Sequence, residues 1–131
     1  LGWMNQPRLL AEYQRAHLFL HPSELTDTAD QEGIPNSMLE AMATGLPLIA
    51  THHGGIPEAV TDNLTGLLVE ERDGDRFLDN LLRLAQEPGL WQTLSQNAAA
   101  DVRQNFEHRA QIATLESIYD ELASLKRSAD L

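Results

Sequence analysis

Two carboxylates, Glu32 and Glu40, flank the segment Gly33-Ile34-Pro35-Asn36-Ser37-Met38-Leu39, inside a run that reads EGIPNSMLEAMATGLP over residues 32–47. The Gly-Ile-Pro turn leads into a short helix that Asn36 or Ser37 can start. Gly45 can end it, and Pro47 forbids its continuation. The opening amides of such a helix, those of Ser37, Met38 and Leu39, lack a carbonyl one turn back and point outward as donors. With the helix macrodipole they form an anion site, typically about 0.3–1 kcal/mol per exposed charge. Glu40 falls one turn in, on the face shared with Asn36, Ser37 and Thr44. One acid therefore precedes the anion site and the other follows it. A ligand with phosphate in its middle and hydroxyl-rich groups at both ends matches that order, and a nucleotide sugar has this form.

A loop charge at Glu32 and a Ser37–Glu40 capping box would account for the same two acids without a ligand. Against that reading, the Gly-Ile-Pro turn, the helix start and the small-residue helix AMATG coincide with the pair. The other candidates have stronger structural accounts. Asp73-Gly74-Asp75 has a D-x-D form suited to a metal, yet it immediately precedes an amphipathic helix and reads as an N-cap. His52-His53 lacks a third ligand at usable spacing, and neighbouring side chains of an extended chain diverge. The pair is expected on the rim of the site together with Gly54, Gly55 and Glu58, and no metal site is expected. His17 and His21 flank a strand as structural imidazoles, Asn63-Leu64-Thr65 reads as a turn, and Trp91 as helix packing.

The string over residues 32–47 closely resembles the E-x7-E segment of retaining family 4 glycosyltransferases, written E-G-x-P followed by E-A-M-A-x-G-x-P. The resemblance extends to AHLFLHPSE at 16–24, GGIPEAV at 54–60 and TGLLVEERD at 65–73, and spans most of residues 1–125. The insert SELTDTADQ (23–31) and the wording HGGIPEAV are similar to members of bacterial exopolysaccharide clusters, including the colanic-acid type. The resemblance implies that Glu32 binds hydroxyls of the transferred sugar as the catalytic-site acid and that Glu40 binds the nucleotide ribose. It further implies that Gly33 and Ile34 through Met38 and Leu39, Pro35 and Asn36 among them, hold sugar hydroxyls and diphosphate. It implies a metal-independent reaction that retains the anomeric configuration, with no cofactor besides the nucleotide-diphosphate sugar as substrate.

Composition narrows the classes further. At 131 residues the chain suits one compact domain, and its net charge of −11 leaves no basic stripe to displace counterions from nucleic acid. The same charge disfavours docking on anionic lipid. Without cysteine it forms no disulfide or thiolate metal site, which fits a reducing cytoplasm. No apolar run approaches the roughly 20 residues of a membrane span. No signal peptide is read in the opening LGWMNQ, which resembles the end of a strand. The expected location is cytoplasmic, peripheral to a membrane at most through the remainder of the protein.

The elements that must position the two acids alternate. A helix is expected from Gln6 to about Arg15, with Leu9, Leu10 and Tyr13 inward. Strands are expected at 17–21, 46–50 and 67–69, helices at about 36–44 and 57–60, and a long acidic loop at 22–35. Three helices close the chain. The first follows Asp73 or Asp75, with Phe77, Leu78, Leu81, Leu82 and Ala85 spaced for burial. The second carries Leu94, Ala98 and Val102, and the third Ile112, Leu115, Tyr119, Leu122 and Leu125. Apolar strands joined by helices predict an α/β fold with parallel strands, whose ligands bind beyond the strands' carboxyl ends.

Three strands are few, and the expectation is half of a doubly wound Rossmann-like domain. By resemblance it is the second half of the C-terminal nucleotide-sugar-binding domain, without the acceptor-binding N-terminal domain and without the Arg and Lys that the family places on the donor phosphates. None of the nine basic residues lies near Glu32–Glu40 in sequence. The isolated chain is therefore expected to be inactive, and its apolar surface to favour self-association. Two other classes fit the same acids: a non-catalytic nucleotide-sugar-binding or assembly module, and a glycosidase with its carboxyls about 5–9.5 Å apart.

Overall fold

The computed structural model describes residues 2–26 and 33–129, with side chains as far as residue 122. The chain runs α1 (Gln6–Arg15), β1 (Phe19–His21), α2 (Asn36–Ala43), β2 (Leu48–Thr51), α3 (Ile56–Ala59), β3 (Leu67–Val69), α4 (Gly74–Gln86), α5 (Pro88–Asn105) and α6 (His108–Ala129). The strands are parallel and lie in the order β1-β2-β3, with Phe19 opposite Leu48 and Ile49 opposite Leu67. The α/β architecture expected from the alternation is present, with the element bounds shifted by a residue or two.

Every residue of β2 and β3 is buried, as strands covered on both faces require. On one face Leu48, Ala50 and Leu68 meet Met38 and Met42 of α2 and Ala98 and Val102 of α5. On the other, Ile49 and Leu67 meet Leu84 of α4 and Leu94 of α5. Burying a side chain the size of Met42 or Leu94 contributes about 1.5–3 kcal/mol. Tyr13 fastens α1 to Ala41 of α2 and to Leu46 just beyond it.

The ends of α2 follow from its composition. Gly45 adopts φ +81°, the left-handed conformation that glycine enters without Cβ strain. Its amide donates to the Met42 carbonyl (2.9 Å) and the Leu46 amide to that of Ala41 (3.2 Å), a Schellman closure. The Ser95 hydroxyl of α5 then takes the Gly45 carbonyl at 2.6 Å, which fixes α2 against α5.

α4 corrects one expectation. Two overlapping apolar rows run along it, and the sheet covers only the row of Phe77, Asn80, Leu81 and Leu84. Leu78 and Leu82 stay 53% and 47% exposed, and Ala85 is exposed as well. Leu82→Ser is accordingly expected to change the urea unfolding free energy by no more than about 0.5 kcal/mol, whereas a face buried as the spacing suggests would lose about 2 kcal/mol or more. On α6, Ile112, Leu115, Tyr119 and Leu122 are likewise exposed.

Candidate functional site

The β1–α2, β2–α3 and β3–α4 connections all leave the carboxyl ends of the strands. Glu32 lies outside the described residues, and the β1–α2 connection is described again from Gly33. Pro35 is extended (φ −65°, ψ 122°), buried, and occupies the N-cap of α2. Neither Asn36 nor Ser37 supplies a side-chain cap; both already lie in the helix.

The open-amide expectation changes here. The Pro35 carbonyl accepts from Met38 N–H at 3.1 Å and Leu39 N–H at 3.3 Å, because an N-cap carbonyl closes the first turn. The amides of Asn36 and Ser37 carry no hydrogen bond among the described residues, so of the three expected donors only Ser37 stays open, joined by Asn36. Asn36 is exposed and Ser37 half-buried. Met38 is fully buried in the core, and Ile34 and Leu39 pack against it.

Glu40 is half-buried, and α1 approaches it. The Tyr13 hydroxyl donates to the Ser37 carbonyl at 3.2 Å. Its pKa is raised, first by burial and then by the charge and hydrogen bonding of Glu40. Tyr13 was read from the sequence as a core position only. Its proximity to Glu40 depends on how α1 docks, and no local spacing signals that.

The second loop is brought directly onto the first. Gly55 N–H donates to the Gly33 carbonyl at 3.2 Å, and a Cβ on Gly55 would lie 2.7 Å from the Gly33 carbonyl carbon. Gly54 turns the loop with φ +51°. Glu58 is exposed in the first turn of α3. His52 is exposed, and its N–H donates to the Val69 carbonyl at 2.8 Å.

His53 departs from the rim expectation. It is 6% exposed, and its Nδ1 lies 2.8 Å from Glu71 Oε1, so that edge of the imidazole is held by the protein. Extended neighbours diverge, which sends His52 out and His53 in. Glu71 also accepts the Leu25 N–H at 2.8 Å, and the Thr51 hydroxyl donates to the Ser23 carbonyl at 2.5 Å. The Leu25 amide, then His53, hold the Glu71 carboxyl below its ordinary pKa. Glu71 was not singled out in the sequence, where it is one of several acids in VEERD.

Asp73 accepts from Arg76 N–H at 2.9 Å and caps α4, in line with the capping account of Asp73-Gly74-Asp75. A mainly apolar cavity of about 510 Å³ opens between β1, the strand ends and α4, lined by Leu20, Pro22, Thr51, Val69, Phe77 and Leu78. It lies on the α4 face of the sheet, away from the amino end of α2.

Residues 1–87 match the family described as glycosyl transferases, group 1. The chain belongs to that family. It is 34% identical over 123 residues to the amylovoran biosynthesis glycosyltransferase AmsK of Erwinia amylovora, covering 94% of this chain and 30% of AmsK. The structure of sucrose-phosphate synthase from Thermosynechococcus elongatus superposes with a TM-score of 0.83 at 27% identity, covering 95% of this chain and 30% of that one. Anabaena HepE, solved with UDP-glucose, shares the fold with a TM-score of 0.76 at 22% identity over 95% of this chain and 31% of its own. The chain thus spans about 30% of the length of these relatives. The Rossmann-like reading of the three strands agrees with these likenesses. No described helix is long and apolar enough to cross a membrane.

Proposed function

We propose that the whole protein transfers a sugar from a nucleotide-diphosphate donor to an acceptor with retention, and that this chain supplies the donor-binding half of the site. The observation behind the reading is the meeting of Gly33 and Gly55 beside the amides of Asn36 and Ser37, which have no partner among the described residues, with Glu40 one turn further along α2. In this reading the two amides take the diphosphate and Glu40 takes the ribose diol, for which a carboxylate is suited because it accepts two charge-assisted hydrogen bonds. Glu32 takes hydroxyls of the transferred sugar. Charge building on the departing nucleotide diphosphate is met by the helix amides, which need no reorganisation as the bond breaks. Basic groups for the phosphates and the acceptor site belong to the rest of the protein, so the 131 residues alone are proposed to be inactive. No metal enters the proposed reaction, which would take place in the cytoplasm.

The HepE likeness, with UDP-glucose bound in that protein, makes UDP a reasonable first probe. A backbone substitution tests the amide directly. Pro35 already has the extended geometry that a following proline demands, and Asn36 is the first helical residue. Asn36→Pro should therefore keep the fold while deleting one donor. A hydrogen bond to a charged group is worth about 1.5–3 kcal/mol, so calorimetric titration of the full-length protein should show UDP or GDP affinity falling about tenfold or more. Asn36→Ala keeps the amide and should bind nearly as the parent does. Equal affinities for the proline and alanine variants would remove the amide from the diphosphate site.

A further inference from the structure

Glu71 stands outside the amide site, yet its two oxygens reach the two loops that meet there. Oε2 takes the Leu25 amide on the connection that leaves β1, at 2.8 Å. Oε1 takes His53 Nδ1 on the β2–α3 connection, also at 2.8 Å. His53 is fixed in turn, its N–H donating to the Thr51 carbonyl (2.8 Å) and its carbonyl accepting from Ile56 N–H (3.1 Å). The Gly54-Gly55 turn lies inside that last bridge, and Gly55 N–H holds Gly33. A continuous chain of hydrogen bonds thus runs from Leu25 through Glu71 and His53 to the turn that seats Gly33.

We propose that Glu71 is a positioning residue, which sets the Leu25 and Gly54-Gly55 loops against each other and thereby places the Gly33–Ser37 backbone for the donor. The functional half of this inference rests on the donor-site reading above; the structural half does not. The depressed Glu71 pKa supports a carboxylate that is ionised while it holds both loops. With a proton on Nδ1 the imidazole donates, and the carboxylate satisfies both partners as acceptor. The neighbouring Arg72–Glu24 pair (3.1 Å) links the same loop to the end of β3, but both partners are well exposed, and such pairs contribute little. It serves as the control.

The test uses the full-length protein with Glu71→Ala, Glu71→Gln and the control Glu24→Gln, read by amide hydrogen exchange and by UDP and GDP binding. Glu71→Ala is expected to speed exchange at Leu25 and Gly55 at least tenfold while leaving β2 amides at the parent rate. Nucleotide affinity should weaken about tenfold, with the donor KM rising and kcat at saturation little changed. Glu71→Gln can still accept from Leu25 N–H, and should restore exchange there to near the parent rate. Glu24→Gln should leave both readouts unchanged. Unaltered exchange at Leu25 and Gly55 in Glu71→Ala overturns the proposal, as does acceleration shared equally by β2, which would make Glu71 a general stabiliser. Loosened loops with unaltered nucleotide affinity overturn it too. If the parent binds neither nucleotide while Glu71→Ala still loosens both loops, the donor-site reading fails and the loop-setting role stands.

Discussion

Gly55→Ala is expected to destabilise the protein by about 1–3 kcal/mol and, in the proposed donor-site reading, to cost most of the nucleotide affinity, although it adds a single methyl group. Gly55 has φ −83°, a conformation open to any residue, so the penalty is not conformational. It is steric. The new Cβ would lie 2.7 Å from the Gly33 carbonyl carbon and 3.0 Å from both the Gly33 oxygen and the Ile34 nitrogen. These are backbone atoms and cannot swing aside as a side-chain end could. Relief requires the two loops to part, which breaks the 3.2 Å bond from Gly55 N–H to the Gly33 carbonyl. Gly33 is the matched control: a Cβ there meets nothing within 4 Å among the described residues, and Gly33→Ala should stay within about 0.5 kcal/mol of the parent. Urea unfolding with calorimetric titration separates the two substitutions. A Gly55→Ala protein as stable and as tight-binding as the parent would show that the contact is not needed.

That contact illustrates which parts of the molecule were legible in the sequence. Periodicity and punctuation are local signals, and where the structure is settled locally they sufficed. Asp73 caps α4, Gly45 closes α2, and Leu94, Ala98 and Val102 point inward as their spacing requires. On α4, by contrast, two apolar rows are equally plausible from spacing alone. Only the fold decides that Leu84 is covered, by Ile49, Leu67 and Leu94, and that Leu82 is not.

The site shows the same division. The order of Glu32, the turn, the helix start and Glu40 is written in one contiguous string. Which amides stay open is not, because it depends on Pro35 taking the N-cap and its carbonyl turning onto Met38 and Leu39. The groups that steady the site come from distant positions: Tyr13 beside Glu40, Glu71 beneath His53. The two histidines of the pair part company for this reason. His52 faces outward, while His53 is claimed by an acid whose nearness only folding reveals.

The largest functional effect is expected at Glu40. If its carboxylate holds both hydroxyls of a ribose, removing it deletes two charge-assisted hydrogen bonds at about 1.5–3 kcal/mol each. Glu40→Ala in the full-length protein should then lower kcat/KM for the nucleotide sugar about a hundredfold or more, each 1.36 kcal/mol counting for a factor of ten. Stability should barely change, because alanine is the better helix former and Glu40 is only half-buried. The competing account is structural: Glu40 exists to hold Tyr13, and through it α1. Tyr13→Phe distinguishes them. It keeps the ring that packs on Ala41, Leu46 and Phe19 and deletes only the hydroxyl, which donates to the Ser37 carbonyl and whose pKa Glu40 helps to raise. A ribose-binding Glu40 predicts a loss of tenfold or less in Tyr13→Phe against the hundredfold in Glu40→Ala, with the Glu40 loss appearing in donor KM and in UDP affinity but not in acceptor KM. Equal losses in the two variants would mean that Glu40 acts on α1 and not on the ligand, and an alanine variant that binds UDP as the parent does would remove it from the site altogether.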